Sequence, residues 1–534
     1  MFKKIILSIV VLLVLAIAGL SFMFYKDGHS NKNDVVIAEN AIPKFTALEM
    51  NFTHLFNKEK SLPIVASAMI DVNNDGVEEL YLGGGYDQQD QLMQYQNGKM
   101  VNIASQMGFE QKSSSTSIGA AVADFDDNGF QDLIISREDG LHLYYNSNGK
   151  FTHKAIETPV NDKSTPAGIA LGDIDKDGDL DIFLATYLKK EKMTSETSFM
   201  DKSYGSTSEL LLNEGGEKFV SITKSAGLDY VHNTFMGVWI DVDEDGDLDL
   251  VVAHDTGEVR TYKNNGNKTF ALVENPTTHK YAYPMGIAVG DYNNNGLMDF
   301  AFSNTGSSMP RAIVKGDIAD ASLFNEKYIL FKNKGNFNFD DAAKETKIAD
   351  FEFSWGMIFD DMNNDGLQDL MVAENYVALL PFKFFKLPGR LLIQNENNEF
   401  GATEKASGVE NRYYGITPLT SDFNQDGNLD LVWVNISGPS FAFLNNAKNT
   451  NFLQIDMPKT AKTIGAIVKL YLPSGKILTE HLVTGEGLAS DNHGFLHFGL
   501  GAEKQASKLV IKYLDGTEKV IENPATNQKL KITI

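Results

Sequence analysis

Acidic residues recur in one short phrase whose spacing suits the binding of a hard divalent cation. The phrase reads Asp, any residue, Asp or Asn, any residue, Asp or Asn, Gly, two residues, then Asp or Glu before an apolar residue. Oxygen ligands at positions 1, 3 and 5, a Gly at position 6 for a sharp turn and a carbonyl at position 7 are the arrangement of calcium loops. Because neither His nor Cys stands beside these ligands, calcium is favoured over zinc or copper. The phrase begins at Asp71, Asp124, Asp173, Asp241, Asp291, Asp361 and Asp422.

The closing acid stands at position 9, whereas an EF-hand closes at position 12 and continues into a helix. Two of the seven loops carry four carboxylates, four carry three, and the loop at Asp291 carries two and is predicted to be the weakest site. The alternative is that Asp, Asn and Gly simply form turns, but seven copies in register favour up to seven structural calcium ions. The predicted ligands are Asp71, Asn73, Asp75 and Glu79; Asp124, Asp126, Asn128 and Asp132; Asp173, Asp175, Asp177 and Asp181; Asp241, Asp243, Asp245 and Asp249; Asp291, Asn293, Asn295 and Asp299; Asp361, Asn363, Asp365 and Asp369; and Asp422, Asn424, Asp426 and Asp430.

The segments around each phrase predict an all-β fold. A small apolar strand such as Gly168–Gly172 precedes the phrase, and a second strand such as Asp181–Ala185 follows it. A third strand ends in Asn and a Gly-containing turn, and a fourth begins at an aromatic residue, as at Phe151, Phe219, Phe270 and Phe339. Four short strands per repeat predict a propeller blade, which must stack on its neighbours to bury both faces. We therefore predict a seven-bladed β-propeller over residues 41–447, with an open β-solenoid as the alternative.

Composition and motifs exclude several functional classes. A formal net charge of −24 opposes nucleic-acid binding. The absence of Cys excludes disulfides, thiolate metal sites and Cys nucleophiles. The ten His residues lack metal-ligand spacing, and the sequence has neither a Gly-x-Ser-x-Gly motif nor a phosphate-binding Gly-rich loop. No catalytic residues are predicted, and the chain is not expected to be an enzyme.

The N-terminus predicts export from the cytoplasm. Lys3 and Lys4 precede an apolar run from Ile5 to Tyr25, which is long enough to span a bilayer with its basic end in the cytoplasm. The alternatives are a signal peptide cleaved near Ala16-Ile17-Ala18 and a buried core helix. We expect residues 1–26 to form a signal-anchor or signal peptide and residues 27–40 a linker. The remainder would be extracytoplasmic and membrane-anchored, or secreted or periplasmic if the segment is cleaved.

Residues 60–445 resemble the FG-GAP or VCBS repeats of integrin-α-like propellers, in which calcium loops join two strands of a blade. Residues 448–534 resemble the ASPIC/UnbV domain, which follows such propellers and occurs in the acidic cartilage protein family; the resemblance is strongest at Leu496–Gly501. Tyr513-Leu514 replaces the family's usual Trp-Pro, and Gly485–Asp491 lacks its usual Ser-Gln. The resemblance therefore implies that the fold is shared, whereas these two differences weaken the inference that a ligand is shared. Alternation of apolar and polar residues independently predicts a small C-terminal β module.

Extra residues after the second strand of three repeats predict a binding face opposite the calcium loops. They are Leu188–Ser208, Ser303–Glu326 and Asn375–Leu391. The aromatic and basic segment Pro381–Arg390 would anchor a partner or rest on a membrane, or its phenylalanines would fold back onto the blade. The expected function is adhesion or protein–protein interaction, with calcium mainly structural and a protein or glycan ligand on the face opposite the calcium loops. A lectin, a polysaccharide lyase and an envelope scaffold are the alternatives. Core packing is predicted for Trp239, Trp355 and Trp433.

Overall fold

The computed structural model describes residues 8–19, 33–109, 113–193, 198–216, 218–306, 311–375, 386–448 and 451–533. Within these residues the strands form nine sheets, seven from the repeats and two from the C-terminal segment. Each repeat sheet holds four strands of the propeller, in chain order from the inside outward except in blade 7, whose outer strand is β1. This arrangement confirms the predicted all-β class.

The blade strands have the following bounds. Blade 1 contains β2 (Ser67–Ile70), β3 (Glu79–Leu82), β4 (Gln91–Gln96) and β5 (Lys99–Asn102); blade 2 contains β6 (Ser117–Ala123), β7 (Asp132–Arg137), β8 (Gly140–Asn146) and β9 (Phe151–Ile156); blade 3 contains β10 (Ser164–Gly172), β11 (Asp181–Leu188), β12 (Glu209–Asn213) and β13 (Phe219–Ser221); and blade 4 contains β14 (Thr234–Ile240), β15 (Asp249–His254), β16 (Arg260–Asn264) and β17 (Phe270–Val273). Blade 5 contains β18 (Ile287–Gly290), β19 (Asp299–Phe302), β20 (Ile329–Asn333) and β21 (Phe339–Asp341); blade 6 contains β22 (Ser354–Asp360), β23 (Asp369–Glu374), β24 (Arg390–Gln394) and β25 (Phe400–Ala402); and blade 7 contains β26 (Tyr414–Ser421), β27 (Asp430–Ile436), β28 (Phe441–Asn445) and the N-terminal β1 (Phe45–Leu48).

The ring closes through the N-terminal strand. β1 pairs antiparallel with β28, so that Phe45 faces Asn445, and it forms the outer strand of blade 7. The innermost strands contact one another around the circle, and β2 of blade 1 touches both β6 of blade 2 and β26 of blade 7. The repeats therefore form a closed ring of seven blades, and the open solenoid is ruled out.

The innermost strands are built from small apolar residues because they converge at the axis. All seven residues of β6, Ser117–Ala123, are buried. A Cβ atom added at Gly119 would lie 2.2 Å from the carbonyl oxygen of Ala167 in the next blade, which leaves space only for Gly. The predicted aromatic residues Phe151, Phe219, Phe270 and Phe339 begin the fourth strands, as expected. Core packing is also confirmed for Trp239, Trp355 and Trp433, which are buried.

The C-terminal segment folds into a β module with its own core. One sheet contains β29 (Asn451–Asp456), β33 (Phe495–Gly501) and β36 (Lys529–Lys531); the other contains β30 (Ile467–Tyr471), β31 (Ile477–His481), β34 (Lys508–Lys512) and β35 (Glu518–Glu522). Leu453, Val468, Leu470, Phe498 and Ile511 are among the residues buried between them. A further two-residue strand, β32 (Ser490–Asp491), leaves this module and joins blade 1.

Helices are short throughout the described residues. They are α1 (residues 8–19), α2 (Ala104–Met107), α3 (Arg311–Val314), α4 (Glu404–Ser407) and the 3₁₀ turns Glu39–Ala41, Lys190–Lys192 and Ala321–Leu323. Among the described residues, none of these helices combines the length and apolarity required for a membrane crossing. The predicted segment Ile5–Tyr25 extends beyond α1 at both ends, where it lies outside the described residues.

Candidate functional site

Each predicted loop joins the first and second strands of its blade and folds around its first Asp. In blade 3 the Asp173 carboxylate accepts hydrogen bonds from the backbone N–H groups of Asp177, at 3.1 Å, and Gly178, at 2.9 Å. The closing acid Asp181 accepts from the N–H groups of Ile174, at 3.0 Å, and Asn213, at 2.9 Å. The first Asp makes the same two contacts in all seven loops.

Two residues in every loop have a left-handed backbone conformation, which turns the chain back on itself. Position 4 has φ near +55°, as in Lys176 with φ 60°, and position 6 is Gly, as in Gly178 with φ 98°. A φ near +90° is readily reached only by Gly. The repeated Gly is therefore required by the backbone, and the loop geometry is encoded locally in each repeat.

In five of the blades, an amide side chain at the end of the third strand connects the closing acid to the neighbouring blade. In blade 4 the Asn264 N–H donates to Asp249 at 2.9 Å, while its Nδ2 donates to the carbonyl of Leu248 at 3.1 Å and to that of Ile174 in blade 3 at 3.3 Å. Asn146, Asn333, Gln394 and Asn445 make equivalent contacts across their own blade boundaries. The loops are thus coupled to blade packing.

Three loops gather carboxylates closely enough to hold a metal ion. In each of them, one oxygen from each of three carboxylates lies within 4.8 Å of the others; the groups are Asp124, Asp126 and Asp132; Asp173, Asp175 and Asp181; and Asp241, Asp243 and Asp249. Burial, followed by neighbouring carboxylates, raises the pKa of Asp181 and of Asp249 to about 8. Asp243 Oδ1 is buried and has no hydrogen-bond donor among the described residues. An all-oxygen donor set with an unsatisfied buried oxygen fits a divalent cation of the calcium type.

In three of the other loops, Asn side chains donate to the acids. Asn73 Nδ2 donates to Asp75 at 3.0 Å, and Asn424 Nδ2 donates to Asp426 at 3.0 Å. In blade 5 Asn293 Nδ2 donates to Asp299 at 2.6 Å. In blade 6, the Asp361, Asp365 and Asp369 carboxyls are buried, and this burial raises the pKa of each. The structure therefore places the predicted ligands of all seven loops in one geometry but gathers three acids tightly in three of them.

Lysine side chains occupy the two loops with four carboxylates, which the sequence did not predict. Lys263 contacts Asp243 and lies 2.8 Å from Asp245. Lys268 contacts Asp175 in the loop of blade 3. Lys263 lies on the third strand of blade 4, and Lys268 lies in the turn between its third and fourth strands. They place one ammonium group beside each of the most acidic loops.

The C-terminal module covers the face of the propeller that carries these loops. Lys529 Nζ donates to the Gly76 carbonyl at 2.8 Å, and Lys476 Nζ donates to the Gly366 carbonyl at 2.6 Å. Lys469 forms an ion pair with Glu244 at 3.0 Å. Basic residues of the module thus meet the acidic loop face.

A segment of the module, residues 484–494, fills the propeller axis, and we call it the plug. Its β32 pairs in parallel with β2 of blade 1. The Asp491 carboxylate accepts from the Val122 N–H of blade 2 at 2.8 Å and from Lys459 Nζ at 3.2 Å, in an ion pair whose side chains are only 1–2% exposed. Its contacts with the inner strands of blades 3 to 7 involve Leu171, Met236, Ile287, Asp360 and Thr420.

Gly485–Asp491 stands out in the sequence only by its departure from a family pattern, which does not predict its place at the propeller axis. Two features of the sequence could have indicated this position. The segment between β31 and β33 is longer than a hairpin needs, and it is rich in small residues. A Cβ atom at Gly485 would lie 2.5 Å from the Ile169 carbonyl oxygen of blade 3. The small side chains allow the plug to enter between converging strands.

The three insertions meet on the opposite face of the propeller. Phe199 of the first insertion packs with Val314, Ile318 and Phe324 of the second and with Leu387 of the third. The Phe199 N–H also donates to Asp317 at 2.7 Å. Half of the predicted aromatic and basic segment, residues 381–385, lies outside the described residues, whereas Leu387 is buried.

Comparisons with known proteins agree with this architecture. Residues 71–135, 124–184 and 241–302 match the FG-GAP-like repeat, and residues 457–534 match the ASPIC and UnbV domain. Mouse cartilage acidic protein 1 is 22% identical over 488 residues, covering 84% of this chain and 70% of that protein.

Among solved structures, the BP39L lectin of Burkholderia pseudomallei aligns with 73% of this chain and 98% of its own, at 8% identity and a TM-score of 0.44. The Dos1 propeller aligns with 76% of this chain and 95% of its own, at 10% identity and a TM-score of 0.39. The chain therefore carries FG-GAP-like repeats followed by an ASPIC and UnbV domain, and it is homologous to cartilage acidic protein 1.

Proposed function

We propose that this chain is an extracytoplasmic, calcium-binding β-propeller that mediates adhesion or protein–protein interaction, without catalysing a reaction, through the face that carries the insertions. The observation that carries the proposal is the position of the C-terminal module. Because the module covers the loop face and its plug fills the axis, the insertion face is the broad propeller surface left for a partner. Three insertions contribute to that face, and repeat proteins commonly bind through such insertions.

Exposed apolar side chains on the insertion face support this assignment. Met200 of the first insertion is 55% exposed, and Leu323 of the second is 39% exposed. Leu55 and Tyr413 are also exposed on the same side. The Leu55 N–H donates to Gln88 in the link between the second and third strands of blade 1, and Tyr413 lies in the link from blade 6 to blade 7. Apolar anchors of this kind provide much of the affinity at protein interfaces.

Calcium has a structural role in this proposal. The seven loops use their ligands to close each site and lie beneath the module, so the ions would stabilise blade packing and the docking of the module. One site with free calcium at 100 times its Kd stabilises the folded state by about 2.7 kcal/mol. The basic start and apolar run of the N-terminus support an extracytoplasmic location, where calcium is abundant.

The calcium component is tested by thermal unfolding of the purified chain after chelation and during calcium titration. We expect the melting temperature to rise and to saturate with at least three ions bound per chain, because three loops gather three carboxylates each. An unchanged melting temperature with no bound calcium would exclude calcium as the structural ion.

The binding face is tested by capture of membrane or matrix proteins from the source organism on the immobilised chain. Met200→Glu and Leu323→Glu each place a charge on the insertion face and are expected to abolish capture. Leu272→Glu is the matched control, because Leu272 is 56% exposed on an outer strand of blade 4. Equal loss of capture in all three variants, or in none, would refute the assignment of this face.

A second candidate function, carbohydrate binding, is favoured by a cleft on the same face, whose geometry carries the inference below.

A further inference from the structure

We propose that a cleft between blades 3, 4 and 5 binds a carboxylate-bearing saccharide, a uronic acid unit of an acidic glycan. The inference rests on the proposed function in one respect, the use of the insertion face for binding. It goes further by assigning a specific site and a chemical class of ligand.

Four segments form the cleft, and all of them lie on the insertion face. They are the first insertion near Tyr204, the link from blade 3 to blade 4 at Tyr230–His232, the link between β15 and β16 at Thr256–Arg260, and the link from blade 4 to blade 5 at His279–Tyr281. The cleft has a volume of about 320 Å³. That volume is at the lower end of the range for small-molecule sites and suits one or two sugar rings.

Arg260 is held in place with unused donor capacity. Its guanidinium carbon lies 4.2 Å from the centre of the Tyr230 ring. Nε donates to Glu258 at 3.3 Å and Nη1 donates to the Tyr262 hydroxyl at 3.3 Å. These two contacts use two of the five N–H donors of the guanidinium, and the side chain remains 19% exposed. A fixed guanidinium with a spare edge is suited to binding a carboxylate.

Neutral polar and aromatic groups surround this guanidinium. The His232 ring stacks on the His254 ring with centroids 4.4 Å apart and makes no hydrogen bond within the described part of the chain. Burial, and then the charge of Arg260, lowers the pKa of His232 to about 4, so the ring is neutral at pH 7. A neutral imidazole both donates and accepts hydrogen bonds, as sugar hydroxyls do. Tyr281 lines the cleft and supplies ring surface against which a sugar could pack.

The charge around the cleft contrasts with that of the whole chain. Exposed Lys202 and Lys280 stand at its rim with Arg260, against the acids Asp201 and Glu258. The full sequence carries a formal net charge of −24. A locally cationic cleft in such a protein draws anionic ligands to this position.

The mixture of groups favours a saccharide over the acidic side chain of a protein. The Glu258 oxygens accept from Arg260 Nε and from the His279 N–H and have lone pairs left over. An Asp or Glu side chain only accepts hydrogen bonds, so it would offer no donor to these lone pairs or to the acceptor nitrogen of His232. A uronic acid ring presents a carboxylate to Arg260 and several hydroxyls to Glu258 and His232. Its apolar face can pack on a tyrosine ring.

The test is titration calorimetry of the full chain in calcium buffer with tetrasaccharides of galacturonic and glucuronic acid. Each is paired with the same tetrasaccharide after reduction of its carboxyl groups, and with an Asp-rich peptide of equal charge. Arg260→Gln removes the guanidinium, and a second variant, Lys202→Ala with Lys280→Ala, changes only the exposed rim. The matched control is Arg412→Gln, because Arg412 also pairs with a Glu two residues earlier, Glu410, on the same face.

We expect binding of at least one uronate, weakened about tenfold or more by carboxyl reduction and by Arg260→Gln, and weakened by the rim variant. Arg412→Gln should leave the affinity unchanged. Binding of the peptide alone would overturn the saccharide assignment while leaving protein interaction intact. Absence of binding to all probes, or equal effects of Arg260→Gln and Arg412→Gln, would overturn the site itself. If the insertion face as a whole does not bind partners, Met200→Glu will leave partner capture unchanged, which is a separate result.

Discussion

The ion pair that anchors the plug gives a quantitative prediction. Asp491 and Lys459 are almost fully buried, and their charged atoms lie 3.2 Å apart. Replacing Asp491 with Asn leaves the Lys459 ammonium buried without a counter-charge. Removal of one partner from a buried pair costs about 3–5 kcal/mol. We expect Asp491→Asn to lower the free energy of unfolding by that amount.

The expected change in melting temperature follows from the size of the chain. An unfolding entropy of about 2.1 cal/mol/K per residue gives roughly 1 kcal/mol/K for about 500 ordered residues that unfold together. A loss of about 3–5 kcal/mol then lowers the melting temperature by roughly 3–5 °C. The assay is thermal unfolding in saturating calcium, followed by circular dichroism.

Two further variants make this result interpretable. Glu214→Gln removes half of an exposed ion pair with Lys218, which should contribute only about 0.2–1 kcal/mol. Lys459→Met combined with Asp491→Asn should destabilise the protein by less than the sum of the single changes, because the two side chains interact directly. A shift for Asp491→Asn no larger than that for Glu214→Gln would refute the plug as a stabilising element.

Three other predictions concern the loops. In chelator, the free energy of unfolding should fall as pH rises from about 5 to about 8. The pKa of Asp181 and of Asp249 is about 8 in the folded chain and near 4 in the unfolded chain, so the folded chain binds more protons in this range. Saturating calcium should abolish this trend, and a rise in stability with pH in chelator would contradict it. Lys263→Met should raise the calcium affinity of the blade 4 loop by about fivefold or more, because the ammonium group beside Asp243 and Asp245 repels the ion by at least about 1 kcal/mol. Titration calorimetry measures this affinity, and an unchanged value would show that the lysine has no such effect. In limited proteolysis, cleavage between the propeller and the module should be faster in the calcium-free chain than in the calcium-bound chain. Equal cleavage rates would argue against coupling between the loops and the docking of the module.

The sequence predicted the features that each repeat encodes locally. Ligand spacing, the Gly at position 6 and the aromatic start of the fourth strand depend on residues close together in the chain, so the loops and the blade count could be predicted. The burial of Trp239 followed from its place in a strand beside a loop, where core packing was expected. The positions of the three insertions followed from strand order, because links after the second strand emerge opposite the loops.

Features that depend on distant contacts could not be predicted in this way. The plug pairs Asp491 with Val122 and Lys459, and its role depends on how the module docks on a completed ring. Lys263 and Lys268 follow no motif. Lys263 reaches the loop of its own blade across the paired strands, whereas Lys268 reaches Asp175 only because blades 3 and 4 pack together. The cleft combines residues from Tyr204 to Tyr281 that are aligned by no periodic pattern.

The plug also has a consequence for how this chain folds and unfolds. In an array of repeats, each unit contacts only its neighbours, and such arrays can form or fray one unit at a time. A segment that touches all seven inner strands links every blade to every other, so opening one blade also weakens the contacts of the remaining six. The plug follows all seven blades in the sequence, and it finds its full set of contacts only when β1 and β28 have met across some 400 residues. The segment that converts seven separable blades into a single cooperative unit is therefore synthesised after every blade that it joins.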